Sequence, residues 1–186
     1  MKILLIRHGL TAGNLKKRYI GRTDEPLCPE GISALRERRF PQCDVIVSSP
    51  MQRCIQTAGM LFPGMNAEIC DAFRECDFGL FEGKNHTELN GNPLYQEWID
   101  SGGEMPFPEG ESPDAFRRRC CGGFLAVTQK HQSAESMAMI VHGGTIMSVL
   151  SYFAKPQRDY FDWMTENGRG WCCQYDGHTL IVTERI

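Results

Sequence analysis

The sequence lacks several features, and each absence removes a class of protein. No apolar run approaches the ~18 residues that a membrane-spanning helix needs. The opening run Ile3-Leu4-Leu5-Ile6 stops after four residues. No small-residue cleavage site follows it, so no signal peptide is expected. There is no excess of positive charge: 20 Lys and Arg stand against 23 Asp and Glu, for a formal net charge of -3. That argues against nucleic-acid binding through a basic surface. The chain has no internal repeat and no low-complexity tract. An apolar share of 41% with 23% charged residues also argues against disorder.

Cysteine is plentiful, with nine residues, yet no pair has the C-x2-C spacing of a zinc site. The count is odd and includes the adjacent pairs Cys120-Cys121 and Cys172-Cys173. Reduced, mostly buried thiols acting as small apolar side chains are expected. At 186 residues the chain suits one domain over residues 1–186, with a cytoplasmic location.

Three segments share one design. The apolar runs Lys2–Ile6, Asp44–Val47 and Met137–Val141 lead into Arg7-His8-Gly9, Ser48-Ser49-Pro50 and His142-Gly143-Gly144 respectively. Short continuous runs rich in Ile and Val predict strands buried on both faces, as in a mostly parallel sheet. Helical spacing separates them over Glu30–Phe40, Met51–Leu61, Pro113–Gln129 and Thr145–Phe153. Ser49 is the expected N-cap of the second, with Pro50 at its first position. Trp171–Tyr175 and Thr179–Thr183 flank Asp176-Gly177-His178 and predict a terminal hairpin. The expected architecture is therefore α/β, with helices covering a mixed sheet. Residues from about 76 to 112 are rich in Gly, Pro and Asn and weakly periodic, which suggests a lid over a site.

Ligands of parallel α/β sheets bind beyond the carboxyl ends of the strands. Those ends carry Arg7, His8 and His142, and the helix after the second strand carries Arg53. Arginine forks and helix N-termini suit a phosphoryl group. A neutral histidine can attack phosphorus, and Arg7 and Arg53 favour its neutral form. The second histidine could stay protonated and donate to a phosphoryl oxygen. A departing alkoxide needs a proton, so a carboxylic acid is expected at the rim.

These motifs resemble the histidine phosphatase superfamily, in its phosphoglycerate mutase-like branch. The resemblance runs through Leu5–Asn14, Gly21–Leu27, Ser48–Ala58, Phe73–Gly83, Gly110–Ser112 and Val141–Gly144, nearly the whole chain. It implies a three-layer α/β/α fold and hydrolysis through a phosphohistidine formed on His8. It implies that Arg7, Arg53 and His142 hold the phosphoryl oxygens, aided by Asn14 and the backbone N–H of Gly143. It assigns substrate contact to Gly21 and acid–base work to Glu75. Glu82, seven residues on, is the alternative acid, and Asn14 alternatively braces its loop. The family needs no metal and no organic cofactor.

Two departures stand out. Cys28 replaces the usual Thr or Ser and should cap its helix poorly. Phe81 replaces a Trp before Glu82-Gly83, a conservative change. His86, His131 and His178 match no motif, and Arg117-Arg118-Arg119 reads as a solvated helix face with ion pairs.

Family mutases are longer and carry basic residues where this chain has residues 84–112. Here Lys84 is the only basic residue among Glu88, Glu97, Asp100, Glu104, Glu109 and Glu111. That disfavours a phosphoglycerate and points to a phosphatase for a small phosphorylated metabolite. The compact chain and its Pro108–Ser112 segment resemble the α-ribazole phosphatases of cobalamin assembly. A mutase, or a non-catalytic phospho-binding module of the same fold, are the alternatives. No nucleic-acid or membrane partner is expected, and the chain is expected to be a monomer or homodimer.

Overall fold

The computed structural model describes residues 1–186. Its strands are β1 (Lys2–Arg7), β2 (Val45–Ser48), β3 (Glu68–Ile69), β4 (Ser136–Val141), β5 (Ala154–Lys155), β6 (Gly170–Tyr175) and β7 (Leu180–Arg185). They form one sheet in the order β3-β2-β4-β1-β6-β7-β5. β1, β2, β3 and β4 run parallel, while β6 lies antiparallel to both β1 and β7. The terminal hairpin thus extends a parallel core.

The helices are α1 (Ala12–Leu15), α2 (Pro29–Arg36), α3 (Gln52–Leu61), α4 (His86–Leu89), α5 (Pro93–Asp100), α6 (Pro113–Lys130) and α7 (Gly143–Phe153). Side chains alternate across a strand, so a run buried on both faces feeds two cores. Ile3 and Leu5 join Met137, Met139 and the α6 and α7 residues Phe124, Ile146 and Leu150. Leu4 and Ile6 join Ala138, Ile140 and the α2 and α3 residues Leu35, Cys54 and Leu61. Two helix pairs sandwich the sheet, which gives the three layers.

Several local expectations shift. Helix α2 ends at Arg36 and does not reach Phe40. Helix α3 starts at Gln52 with Met51 as its N-cap, so Ser49 and Pro50 precede it. The Ser49 hydroxyl is spent on a histidine instead. Cys28 does cap α2: its Sγ accepts the Gly31 N–H at 3.4 Å. Helix α6 runs unbroken through Gly122 and Gly123, and Gly123 packs where any Cβ would meet Ala72 at 2.7 Å.

The expected lid has structure of its own. It holds α4, α5 and a 3-10 turn over Gly79–Phe81. Phe81, Leu89, Phe107 and Phe116 form a third small core, with Tyr19, Phe78, Tyr95 and Trp98 against it. These apolar side chains bridge the segment to α6 and the main body, and backbone bonds from Tyr19 N–H to Lys84 O and from Gly83 N–H to Tyr19 O tie it further.

Candidate active site

Sheet register brings the strand ends level. Arg7 of β1 faces Val141 of β4, and Ile140 faces Ser48 of β2. The residues one step beyond, His8, His142 and Ser49, therefore emerge together. Two bonds extend the alignment past the strands: the His8 N–H donates to Val141 O at 2.9 Å and the Ser49 N–H to Ile140 O at 3.0 Å. The His8 and His142 rings meet edge to face with centroids 5.2 Å apart.

His8 is 3% exposed, and its Nδ1 lies 2.7 Å from the Gly9 carbonyl. A carbonyl only accepts, so Nδ1 carries the proton and Nε2 keeps its lone pair. Burial, then the charges of Arg53 and Arg7, push His8 well below the usual imidazole range. Both effects favour the neutral ring, whose Nε2 has no hydrogen-bond partner within the protein.

Arg53 is fully buried in the first turn of α3. Its Nη1 donates to Thr23 O at 2.9 Å, and its Nη2 to Gly21 O at 3.1 Å and Ile20 O at 3.4 Å. Arg7 donates through Nη1 to Thr165 O at 2.8 Å. The buried Nε atoms of both arginines have no partner within the protein. Two buried cationic donors without an acceptor are costly unless an anion joins them, which suits the pair to binding an oxyanion.

His142 is fully buried, with Nε2 2.8 Å from Ser49 Oγ and 3.6 Å from the Cys54 thiol. Burial pushes that thiol up to about 12, so it stays protonated. The same burial, then His8, Arg53 and Arg7, drive His142 well below its usual value. In the free protein this favours a neutral ring with one N–H, whereas the negative charge of a bound phosphoryl group favours the protonated ring. It lies 3.9 Å from Glu75, which burial pushes upward despite the Cys76 N–H and nearby arginines. Both shifts act against the charged forms of the two groups. Glu75 also sits against the N-terminus of α7, where a Cβ on Gly144 would come within 3.0 Å of its Oε1.

The remaining expected residues divide. Gly143 opens α7, so its N–H has no intrahelical partner and can meet an anion. Asn14 uses its Oδ1 to accept from the Thr11 N–H at 3.3 Å and from Asn167 Nδ2 at 3.0 Å. Only its Nδ2 can serve an anion. Gly21 has both backbone groups engaged: its N–H donates to Glu82 at 2.9 Å and its carbonyl accepts from Arg53. A Cβ there would fall 1.9 Å from the Cys76 carbonyl. Gly21 thus belongs to the brace behind Arg53, which removes the hydrogen-bonding basis for its expected substrate contact. Glu82 accepts from both the Gly21 and Thr23 N–H groups, which ties it to that brace as well.

Residues outside the expected set complete the frame. Asn167 donates to the carbonyls of His8 and Gly9 at 3.1 and 3.4 Å. Thr57 accepts the Gly9 N–H at 2.9 Å and donates to Arg53 O at 2.6 Å. No local pattern marks Asn167, since its partners lie far away in the chain. No group of three His, Cys, Asp or Glu side chains is placed to hold a metal ion.

Beside Arg7, Glu75 and Gly144 opens a cavity of about 620 Å³, walled by Phe78, Trp98, Phe107, Phe116, Met147 and Phe161. Trp98 has a buried indole N–H with no protein partner. Arg117 also lines it, but lies over the Tyr160 ring at 4.7 Å and pairs with Glu104 at 3.4 Å.

The buried histidines set a pH dependence of stability. Their folded values lie below the free value of 6.5. The stability they permit above that value is lost as pH falls, at about 1.4 kcal/mol per pH unit for each ring while it stays neutral. Glu75, shifted upward, has the opposite sign: its contribution is present at low pH and fades as pH rises through its folded value. Denaturant unfolding from about pH 7 to about pH 5 should show stability falling, with His142→Gln flattening the slope by one ring's share. An unchanged slope in that variant would mean His142 is not held neutral.

Residues 3–183 match the histidine phosphatase superfamily, branch 1. A broad-specificity phosphatase of Saccharomyces cerevisiae is 28% identical over 167 residues, covering 82% of this chain and 70% of its own. Phosphoserine phosphatase 1 of Hydrogenobacter thermophilus is 27% identical over 150 residues, covering 76% and 71%. The crystal structure of the α-ribazole phosphatase of Shigella flexneri superposes with a TM-score of 0.87 at 21% identity, over 100% of this chain and 96% of its own.

Proposed function

The chain belongs to the histidine phosphatase superfamily, branch 1, and is a phosphatase; we propose that it hydrolyses phosphomonoesters of an alcohol bearing a flat aromatic group, through a phosphohistidine on His8. The observation that carries this reading is the buried His8, its Nδ1 held by the Gly9 carbonyl so that Nε2 is free, under the charges of the buried Arg53 and Arg7. In the first step Nε2 bonds to phosphorus as the ester P–O bond breaks, and Glu75 gives its proton to the leaving oxygen. In the second, water bonds to phosphorus, the N–P bond breaks, and Glu75 takes the proton from water. Arg7, Arg53, His142 and the Gly143 N–H bear on the phosphoryl oxygens, where charge spreads in the transition state.

The leaving-group class follows from the cavity wall. Outside the phosphoryl site its one cation is Arg117, already paired with Glu104. A carboxylate on the alcohol, as in phosphoserine or 3-phosphoglycerate, finds no unpaired charge there. A planar base finds Phe78, Phe107 and Phe116 and one spare donor on Trp98. α-Ribazole 5′-phosphate is the first candidate, and two further names in the family, from Salmonella typhimurium and Escherichia coli, bear on the same compound. The test is phosphate release in EDTA from α-ribazole 5′-phosphate, phosphoserine and 3-phosphoglycerate. The expected kcat/KM for the first exceeds the other two by about a hundredfold. Equal or better use of phosphoserine would overturn the leaving-group reading. Exchange between phosphoglycerates without phosphate release would replace the hydrolase with a mutase.

A further inference from the structure

Glu75 lies in a stretch with no regular structure to hold it. The 3-10 turn Asp71–Phe73 ends just before it, and residues 74–78 belong to no helix or strand. An acid that must reach a leaving oxygen needs its backbone fixed to a fraction of an ångström. The fixing comes from α6 and the segment before it. Arg119 Nη1 donates to the carbonyls of Ala72 at 2.9 Å and Arg74 at 2.8 Å, and its Nη2 reaches Glu75 O at 3.5 Å. The other edge of the guanidinium is gripped by Glu111, at 3.0 Å from Nε and 2.7 Å from Nη2. The Glu111 N–H in turn donates to Asp77 O at 2.9 Å. The pair thus grips the chain on both sides of Glu75.

Helix geometry supports the same role. Gly123 lies four residues after Arg119, on the same face, where its bare Cα lets Ala72 and Phe73 close against α6. The neighbouring arginine of the run behaves differently, since Arg117 turns to Tyr160 and the lid residue Glu104. Only the planar five-donor fork of arginine can serve three carbonyls and a carboxylate at once.

We propose that Arg119, clamped by Glu111, is a positioning residue for proton transfer, holding the backbone that carries Glu75 where the carboxyl reaches the leaving oxygen. It rests on the phosphohistidine reading and on Glu75 as the acid. Neither Arg119 nor Glu111 touches the substrate.

The test compares phenyl phosphate with p-nitrophenyl phosphate by kcat/KM, which reports on the steps through release of the alcohol. Phenoxide needs a proton as it leaves, whereas nitrophenoxide departs readily as an anion. Glu75→Gln should cut phenyl phosphate turnover by about 10²–10³ and the nitro ester far less. Arg119→Ala should move in the same direction, costing phenyl phosphate about tenfold more than the nitro ester. Glu111→Gln, which keeps the shape and one acceptor, should give a smaller shift of the same sign, and it carries the test if Arg119→Ala does not fold. An equal loss on both esters means a merely structural role and overturns the proposal, as does no loss. If Glu75→Gln itself shows no ester dependence, the acid assignment falls and the clamp's role falls with it. If wild type releases no more phosphate than His8→Ala, the failure belongs to the hydrolase reading.

Discussion

His8→Ala is expected to lower phosphate release by at least about four orders of magnitude while the protein stays folded. The variant removes the ring nitrogen that the proposed function makes the nucleophile, while His142 has its Nε2 engaged with Ser49. The fold should tolerate the loss. His8 makes one side-chain hydrogen bond, to the carbonyl of the next residue, and that carbonyl keeps Asn167 as a second donor. Phosphate or vanadate should still raise the melting temperature of the variant, because the arginines and the α7 N-terminus remain. A quenched reaction with the wild type should trap about one acid-labile phosphate per chain, and none with His8→Ala. Residual turnover within a hundredfold of wild type would exclude His8 as the nucleophile.

The site was legible in the sequence to the extent that local patterns dictate it. A strand buried on both faces must be apolar throughout, so Ile3–Ile6 and Met137–Val141 stand out, and the polar residue that ends each run is already at the sheet edge. Arg53 was visible because α3 follows the second such run at once. Roles fixed by distant partners were not visible. Arg117, Arg118 and Arg119 are identical letters, and only the packing of α6 on the Ala72–Phe73 turn distinguishes the inward one. Ser49 looked like a cap because Ser-Pro often starts a helix, yet the nearby histidine competes for its hydroxyl and the helix begins later. Gly21 reads as a contact residue, although both its polar groups serve the brace behind Arg53 and it packs too close to the Cys76 carbonyl for a side chain. The helices within residues 76–112 are illegible for another reason. Short helices capped by Asn85 and Asn92 and packed on aromatics carry too few residues to show a period.

The brace explains why Arg53→Lys should be far from conservative. On the proposed function Arg53 has two tasks in one plane: its Nη atoms satisfy the carbonyls of Ile20, Gly21 and Thr23, and its Nε, which has no partner within the protein, serves the phosphoryl oxygens. An ammonium is a single point of charge and cannot stand in both places. If it stays with the carbonyls, the anion loses a donor. If it moves to the anion, buried carbonyls lose theirs, at a cost of about 1–3 kcal/mol for each group left unpaired. Either way kcat/KM should fall by about 10²–10³, a loss in the range found when one buried donor to a developing oxyanion is removed. The two branches separate by measurement. In the first, the melting temperature holds and vanadate affinity drops. In the second, vanadate affinity is largely kept and stability drops, because Glu82 must then hold the Gly21–Thr23 loop without Arg53 behind it. A loss below tenfold, with both stability and vanadate affinity unchanged, would mean that the buried guanidinium is scaffold alone and that Arg7 carries the phosphoryl charge with the α7 N-terminus.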